Sequence, residues 1–182
     1  MTSMKSMWKL VAAGFIFTMS YSGAHAVDSA SFELGEGNQT DLIRGAMQWE
    51  WMNQWFQSNG THIGGYWDLT LAHWHAKKHR NIEGNSQNIV AVGITPVFRF
   101  QKDTLRGPYV EAGIGAHYLS DLYDNNDDRL STRFQFGDHV GIGYVFKNKL
   151  DIGLKYQHFS NGGLKKPNSG VDFVAVRISY PF

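Results

Sequence analysis

The sequence predicts an all-β protein, an eight-stranded antiparallel transmembrane β-barrel of the outer-membrane type that follows a cleaved signal peptide. Three observations predict this fold class: an export signal at the start of the chain, eight short segments in which apolar and polar residues alternate, and the lack of cysteine in a chain of 182 residues. Small exported domains commonly depend on disulfides. A chain without them needs another source of stability, and a membrane can supply it.

Residues 1–26 have the three parts of an export signal. Lys5 and Lys9 are its only charged residues, residues 10–19 are mostly apolar, and the stretch Ala24-His25-Ala26 has the small-x-small form of a cleavage site. An apolar run of about ten residues is too short to span a bilayer as a helix, which needs about twenty. We therefore predict cleavage, with an uncleaved anchor as the less favoured alternative, and a single domain over residues 27–182.

Composition excludes several classes of function. Once Lys5 and Lys9 are removed, 15 basic residues face 16 acidic ones, and a formal charge of −1 gives no support to nucleic-acid binding. The lack of cysteine excludes disulfides and thiolate metal sites. No stretch after residue 26 approaches the length of apolar sequence that a membrane-spanning helix requires, which excludes a helical membrane protein.

Eight predicted strands are separated by polar turns. They cover residues 31–38, 42–56, 61–76, 88–101, 108–120, 134–147, 150–160 and 171–182. Eight is an even number and the smallest usual size of a closed single-chain barrel.

The alternation that defines these strands is clearest in the last two. In the seventh, one parity is apolar and the other is polar or small: Leu150, Ile152, Leu154 and Tyr156 against Asp151, Gly153, Lys155 and Gln157. A soluble sandwich would bury the apolar face, whereas an outer-membrane barrel turns it towards lipid and keeps a polar interior. The final strand has apolar residues at every second position and ends on Phe182, like the assembly signal of outer-membrane barrels. Together with the export signal, it favours the membrane barrel.

Three residues near the end of the chain have the composition of a hydrolytic site. His158 and Ser160 are two apart on a predicted strand and therefore share a face. An imidazole beside a hydroxyl, with Asp172 a short loop away, can provide a nucleophile, its general base and the group that orients the base. All three have the parity of the apolar series, so we expect them to face lipid. With a periplasmic N-terminus, they lie at the exterior end of the barrel, in the outer leaflet.

The predicted pairing of the sixth and seventh strands offers a second candidate for the acid that orients His158. A short hairpin at residues 146–150 would place Asp138 or Val140 opposite His158, and Asp138 shares the lipid-facing parity. A lipid-facing carboxylate without a role is energetically costly. Asp138 is therefore an alternative or supporting acid, ranked behind Asp172.

The same region resembles a known family, the lipid A 3-O-deacylases of the PagL type. Its His-x-Ser-Asn motif stands here as residues 158–161, its Pro-Asn element as Pro167 and Asn168, and its acid, twelve residues after the serine, falls on Asp172. The best-known form of the motif has Glu at that position, so this chain departs from it by one methylene. The export signal, the strand count and the terminal Phe also agree with this family.

The resemblance implies an outer-membrane serine esterase that removes the 3-hydroxyacyl chain ester-linked at position 3 of lipid A. Its substrate would be lipopolysaccharide, its location the outer membrane of a Gram-negative bacterium, and a homodimer is left open. Lys165 and Lys166 are candidates for contacts with lipid A phosphates, although exposed loop lysines are more often only solvated.

The chemistry itself needs oxyanion donors and no metal or other cofactor. The nearest donors are the Asn168 side chain and the backbone N–H groups around Gly162 and Gly163, where missing side chains allow close approach. We place Asn161 in the same substrate-binding region, where it is also suited to fix the turn after the strand.

Two polar segments resemble metal sites, and neither is assigned one. Residues 124–129 are rich in Asp and Asn but lack the ordered spacing and closing Glu of an EF-hand. His73, His75 and His79 span a predicted strand end, and no carboxylate stands at matching spacing.

Two other functions are kept as alternatives. The first is a phospholipase resembling outer-membrane phospholipase A, which shares a His-x-Ser-Asn-Gly signature. This chain is too short for that family's larger barrel, and that family's third catalytic residue is Asn. The second is a small non-catalytic barrel of the structural or adhesin kind, in which Ser160 would be incidental.

Overall fold

The structure is a computed structural model that describes residues 26–182, so the predicted signal peptide lies, apart from Ala26, outside the described residues. Its strands are β1 (Ser29–Gly37), β2 (Thr40–Glu50), β3 (Trp55–Ser58), β4 (Thr61–Ala76), β5 (Gln87–Lys102), β6 (Gly107–Leu119), β7 (Asp124–Asn125), β8 (Asp128–Arg129), β9 (Phe134–Val145), β10 (Asp151–Ser160) and β11 (Val171–Pro181). No helix within residues 26–182 is long and apolar enough to cross a membrane.

Eight of these strands form one closed antiparallel barrel. Their order is β2-β1-β11-β10-β9-β6-β5-β4, and pairing between β2 and β4 closes the ring. The short strand β3 pairs with the start of β4, and β7 and β8 form a separate two-stranded hairpin. The predicted fold class is confirmed.

The two ends of the barrel differ. The described chain begins and ends at one of them, where β1 starts and β11 stops. At the opposite end lie the connections 77–86, 120–133 and 161–170. Outer-membrane barrels have short periplasmic turns and longer extracellular loops, and we call the end that carries these three connections the loop end.

One predicted strand is too long. The second segment was expected to run to residue 56, but β2 ends at Glu50, and β3 starts at Trp55 after a turn. The pairing register shifts within β3. Phe56, in this irregular part, has a φ of 55°, a left-handed conformation that a regular strand does not contain. The continuous strand is therefore broken there.

The barrel interior holds a balanced set of charges away from the loop end. Four cations and four anions are buried inside, each at most 9% exposed: Arg44, Arg99, Lys155, Arg177, Glu33, Asp68, Glu111 and Asp151. Glu33 bonds to Arg44 and lies 3.1 Å from Lys155 Nζ. Buried charges are tolerated when they are paired and hydrogen-bonded. This part of the interior is polar, as predicted.

Towards the loop end the interior is apolar instead. Trp74 is fully buried, and its ring centroid lies 4.8 Å from that of Phe159 and 5.0 Å from that of Phe173. Around them pack Leu42, Ile89, Leu119, Tyr123, Leu130 and Val171. We call this set the apolar plug. The prediction of a polar lumen is wrong for this end, because the last inward-facing positions of several strands carry large apolar side chains.

Candidate functional site

The candidate site lies at the loop end of β10, on the outer surface of the wall. Along this strand the odd-numbered residues are buried inside the barrel, and the even-numbered ones face outwards. His158 and Ser160 are therefore outward-facing, and both are half-buried. Phe159, between them, points inwards and is 2% exposed, with its ring against Trp74 and His117. The apolar plug thus anchors the segment that carries the two polar residues.

Asp172 lies directly beside His158. The two residues are register partners on β10 and β11, and His158 Nδ1 is 2.7 Å from Asp172 Oδ1. Asp172 faces outwards, as its parity predicted. A carboxylate at Nδ1 leaves Nε2 as the ring nitrogen that can exchange a proton.

Backbone packing fixes the imidazole on its other side. Gly170 precedes β11 with a φ of +83°, and a Cβ at this position would lie 2.5 Å from His158 Cε1. A side chain cannot fit there without moving the ring. The sequence analysis missed Gly170, because only the folded loop brings it onto His158.

Ser160 ends β10 and faces the turn that follows. Gly162 N–H donates a long hydrogen bond of 3.4 Å to Ser160 Oγ. Within the described chain, Ser160 and His158 are not hydrogen-bonded to each other. Catalytic hydrogen bonds are often long or poorly aligned without substrate, so the shared face and the i, i+2 spacing are the relevant geometry.

Asn161 is the structural centre of the turn. It is fully buried, and its side chain accepts a hydrogen bond from Gly163 N–H at 3.0 Å and donates one to Lys165 O at 2.7 Å. Its backbone N–H donates to Asn168 Oδ1 at 2.9 Å. Gly163 N–H therefore has an acceptor within the loop, whereas Gly162 N–H points at the serine oxygen. The side-chain N–H groups of Asn168 lie beside the same turn.

A neighbouring loop supports this turn. Ser131, in the connection 120–133, donates from Oγ to Lys165 O at 2.8 Å and accepts from Asn161 Nδ2 at 3.2 Å. Leu130 and Asn168 form an isolated β-bridge. Sequence reasoning missed Ser131, since nothing local in the sequence shows a contact between segments thirty residues apart.

A second carboxylate lies next to His158 on β9, the neighbouring strand opposite β11. Asp138 on β9 is the register partner of His158, so the predicted pairing is confirmed. Its side chain is exposed on the outer face. His158 thus stands between Asp172 on β11 and Asp138 on β9, and only Asp172 is bonded to it.

The side chains of the remaining polar candidates make no hydrogen bond with His158, Ser160 or Asp172 within residues 26–182. Lys165 and Lys166 are exposed in the loop. His75 Nδ1 lies 2.9 Å from Asn88 Oδ1, and His79 Nδ1 lies 2.9 Å from Asp124 O. Within residues 26–182, no group of three or more His, Cys, Asp or Glu side chains is placed to hold a metal ion.

The segment 124–129 forms hydrogen bonds to another loop and does not present a set of metal ligands. Asn125 is fully buried, and its Nδ2 donates to Asn38 O at 2.9 Å. The hairpin of β7 and β8 therefore packs onto the turn between β1 and β2.

Comparison with known proteins assigns the chain to a family. The family model described as "Lipid A 3-O-deacylase (PagL)" matches residues 42–181, a range that contains every residue of the candidate site. The chain is 27% identical to the lipid A deacylase PagL of Pseudomonas aeruginosa over 178 residues, which are 98% of this chain and 99% of that protein. It is 40% identical to the lipid A deacylase PagL of Bordetella bronchiseptica over 127 residues, 66% of this chain and 67% of that protein.

A solved structure gives the same result for the fold. The crystal structure of the outer membrane enzyme PagL matches with a TM-score of 0.73 at 27% identity, over 85% of this chain and 99% of that one. Sequence and structure therefore place this chain in the lipid A 3-O-deacylase (PagL) family.

Proposed function

We propose that Ser160, His158 and Asp172 are the nucleophile, the general base and the orienting acid with which this outer-membrane lipid A deacylase hydrolyses the 3-O-linked ester of lipid A. The observation that carries the proposal is the His158–Asp172 hydrogen bond of 2.7 Å on the same outer face as Ser160. It uses one imidazole nitrogen for orientation and leaves the other for proton transfer.

The reaction proceeds in two steps. Ser160 Oγ attacks the ester carbonyl carbon while His158 Nε2 accepts the hydroxyl proton. The tetrahedral intermediate collapses, the bond from the carbonyl carbon to the sugar oxygen breaks, and His158 returns the proton to that oxygen. Water then attacks the acyl-serine with His158 again as the base, which releases the fatty acid and restores Ser160.

The oxyanion of both intermediates needs donors close to Ser160 Oγ. Gly162 N–H already points at this atom from 3.4 Å. The Asn168 side chain is held by its Oδ1 on the backbone of Asn161, which leaves its Nδ2 group for the oxyanion. Donors fixed before reaction stabilise the developing charge without reorganisation. Gly163 and Asn161 contribute by shaping the turn, since each is hydrogen-bonded within it.

The position on the wall suits a substrate that stays in the membrane. The site lies outside the barrel at the loop end, so lipid A of the outer leaflet can reach it by lateral movement, with its sugar at the rim and its acyl chains along the wall. Lys165 and Lys166 are exposed beside the site, where lipid A phosphates would lie.

Mass spectrometry of lipid A tests the function directly. Cells that express the protein should contain lipid A lacking one hydroxyacyl chain, whereas cells that express the Ser160→Ala variant should not. A loss of acyl chains from phospholipids with unchanged lipid A would instead indicate a phospholipase, and no change in either lipid would indicate a non-catalytic barrel.

A further inference from the structure

A cavity opens inside the barrel at the end opposite the loop end. Its volume is about 290 Å³. Ser29 at the start of β1 and Pro181 at the end of β11 line it, together with residues of the turns that join β5 to β6 and β9 to β10. Short turns of outer-membrane barrels lie on the periplasmic side. The cavity therefore opens towards the periplasm, away from the candidate site at the loop end.

The floor of this cavity belongs to the buried charge network. Arg99, Asp151 and Arg177 line it, and Asp151 accepts hydrogen bonds from both arginines. Arg177 is 2% exposed, and its Nε–H has no acceptor within residues 26–182. Buried donors without an acceptor are rare in native structures and costly. A ligand that enters the cavity can supply this acceptor.

Two further cations lie at the rim. Arg106 comes from the turn between β5 and β6, and Lys149 comes from the turn between β9 and β10. Both are exposed, and neither side chain forms a hydrogen bond or an ion pair within the part of the chain that the structure describes. They are therefore available to a ligand from outside the chain.

The cavity has an excess of positive charge that the rest of the interior lacks. Four cations but only two carboxylates, Glu50 and Asp151, are among its lining residues. Asp151 is already bonded to the arginines of the floor. The excess thus comes from the rim, and a concave site with charge of one sign concentrates counter-ions of the other. Ser29, Ser179, Thr104 and Gln101 add hydroxyl and amide donors to the lining.

We propose that this cavity binds a small anion from the periplasm that carries phosphate or carboxylate groups. The rim cations Arg106 and Lys149 bind the anion, and Arg177 Nε–H donates to it from the floor. The volume is close to the lower limit of known ligand sites, about 300 Å³, so a small organic anion fits and an acylated lipid does not. The inference goes beyond the proposed function and does not depend on it.

Anion titrations of the purified full-length protein test the site. Wild-type protein in a non-ionic detergent is titrated with citrate and with inorganic phosphate in a calorimeter. The ionic strength is kept constant, because salt screens the general attraction of anions to exposed cations. We expect saturable, one-to-one binding of at least one of the two anions. If neither binds in this way, the proposal is wrong.

A pair of double variants separates the cavity from surface charge. Arg106→Gln with Lys149→Gln removes the rim cations and should weaken binding at least tenfold, since each charge-assisted contact corresponds to a factor of about 10 to 100 in the dissociation constant. Lys102→Gln with Lys147→Gln is the matched control. Lys102 precedes the same turn as Arg106, Lys147 lies in the same turn as Lys149, and both are exposed but do not line the cavity.

The control double variant should bind like the wild type. Equal weakening in the two double variants would mean that the anions respond only to surface charge. Unchanged binding in Arg106→Gln with Lys149→Gln would exclude the rim. Either result would overturn the proposal.

A second measurement tests the floor and needs no variant. In ¹⁵N-labelled wild-type protein, the Nε–H resonance of Arg177 should shift during the titration with the same dissociation constant as the calorimetric signal. A resonance that stays in place while the anion saturates would show that the anion does not reach Arg177, and the proposed site would be wrong.

Discussion

His158 and Asp172 are cross-strand partners whose side chains meet at 2.7 Å on the outside of the barrel. A hydrogen bond between two strands is fixed by register, and register in a closed barrel cannot slip at one position without moving every pair. The orientation of the imidazole is therefore set by the pairing of β10 with β11, together with the packing of Gly170 against the ring.

The first prediction concerns the nucleophile and the base. Ser160→Ala and His158→Ala should abolish deacylation but leave a folded protein, because both side chains face outwards and neither is part of the buried charge network. Heat-modifiable migration on unheated gels reports folding, and mass spectrometry of lipid A reports activity. Retained activity in either variant would contradict the proposed roles.

The second prediction separates the two acids. Asp172→Asn should lower kcat by orders of magnitude, since loss of the equivalent carboxylate in a serine protease costs about 10⁴. Asp172→Glu carries the residue of the best-known family motif and should keep substantial activity. Asp138→Asn should have a much smaller effect. Initial rates of purified, folded variants on lipopolysaccharide distinguish the two acids. If Asp138→Asn were inactive and Asp172→Asn kept its activity, the orienting acid would be Asp138 on β9.

The third prediction tests the packing of the imidazole. Gly170→Ala should lower turnover about 100-fold, because its Cβ would displace the His158 ring and small misplacements of catalytic groups have effects of this size. Gly84→Ala is the matched control: its φ of +76° imposes the same backbone strain, but nothing lies within 4 Å of the added Cβ. Both variants should lose similar stability in urea titrations. Equal turnover in the two variants would exclude a positioning role for Gly170.

The fourth prediction concerns the buried charges. Glu33→Gln should destabilise the barrel by about 3–5 kcal/mol, because Arg44 and Lys155 would remain buried without their anion. Glu36→Gln, three residues along the same strand, removes a 78% exposed carboxylate and should change stability by less than about 0.5 kcal/mol. Unfolding in urea, followed by tryptophan fluorescence in detergent, measures both. Similar midpoints for the two variants would show that the interior pairing contributes little.

The parity of residues along β10 was sufficient to predict much of this site. The alternation of apolar and polar residues along β10 places His158 and Ser160 on the outer face, independently of distant contacts. The short hairpin before β10 brings Asp138 opposite His158. These are local consequences of strand geometry. The fold class followed for the same reason, because each strand carries its own two-residue period.

Other features depend on contacts between distant segments and could not be predicted in this way. The apolar plug uses the same inward parity as the buried charges, so alternation does not distinguish Phe159 from Lys155. Gly170 and Ser131 have no local signature, and their roles appear only when the loops 120–133 and 161–170 meet. The end of β2 was missed because the tryptophans after it continue an apolar pattern through a turn.

The apolar plug also bears on where the water of the reaction comes from. Trp74, Phe159 and Phe173 fill the barrel directly behind the strand that carries Ser160, and each is at most 2% exposed. Within residues 26–182, the lumen behind Ser160 is therefore filled by apolar side chains. On the proposed mechanism, the water that hydrolyses the acyl-serine would come from the loop end of the barrel, and the released fatty acid would leave along the outer wall.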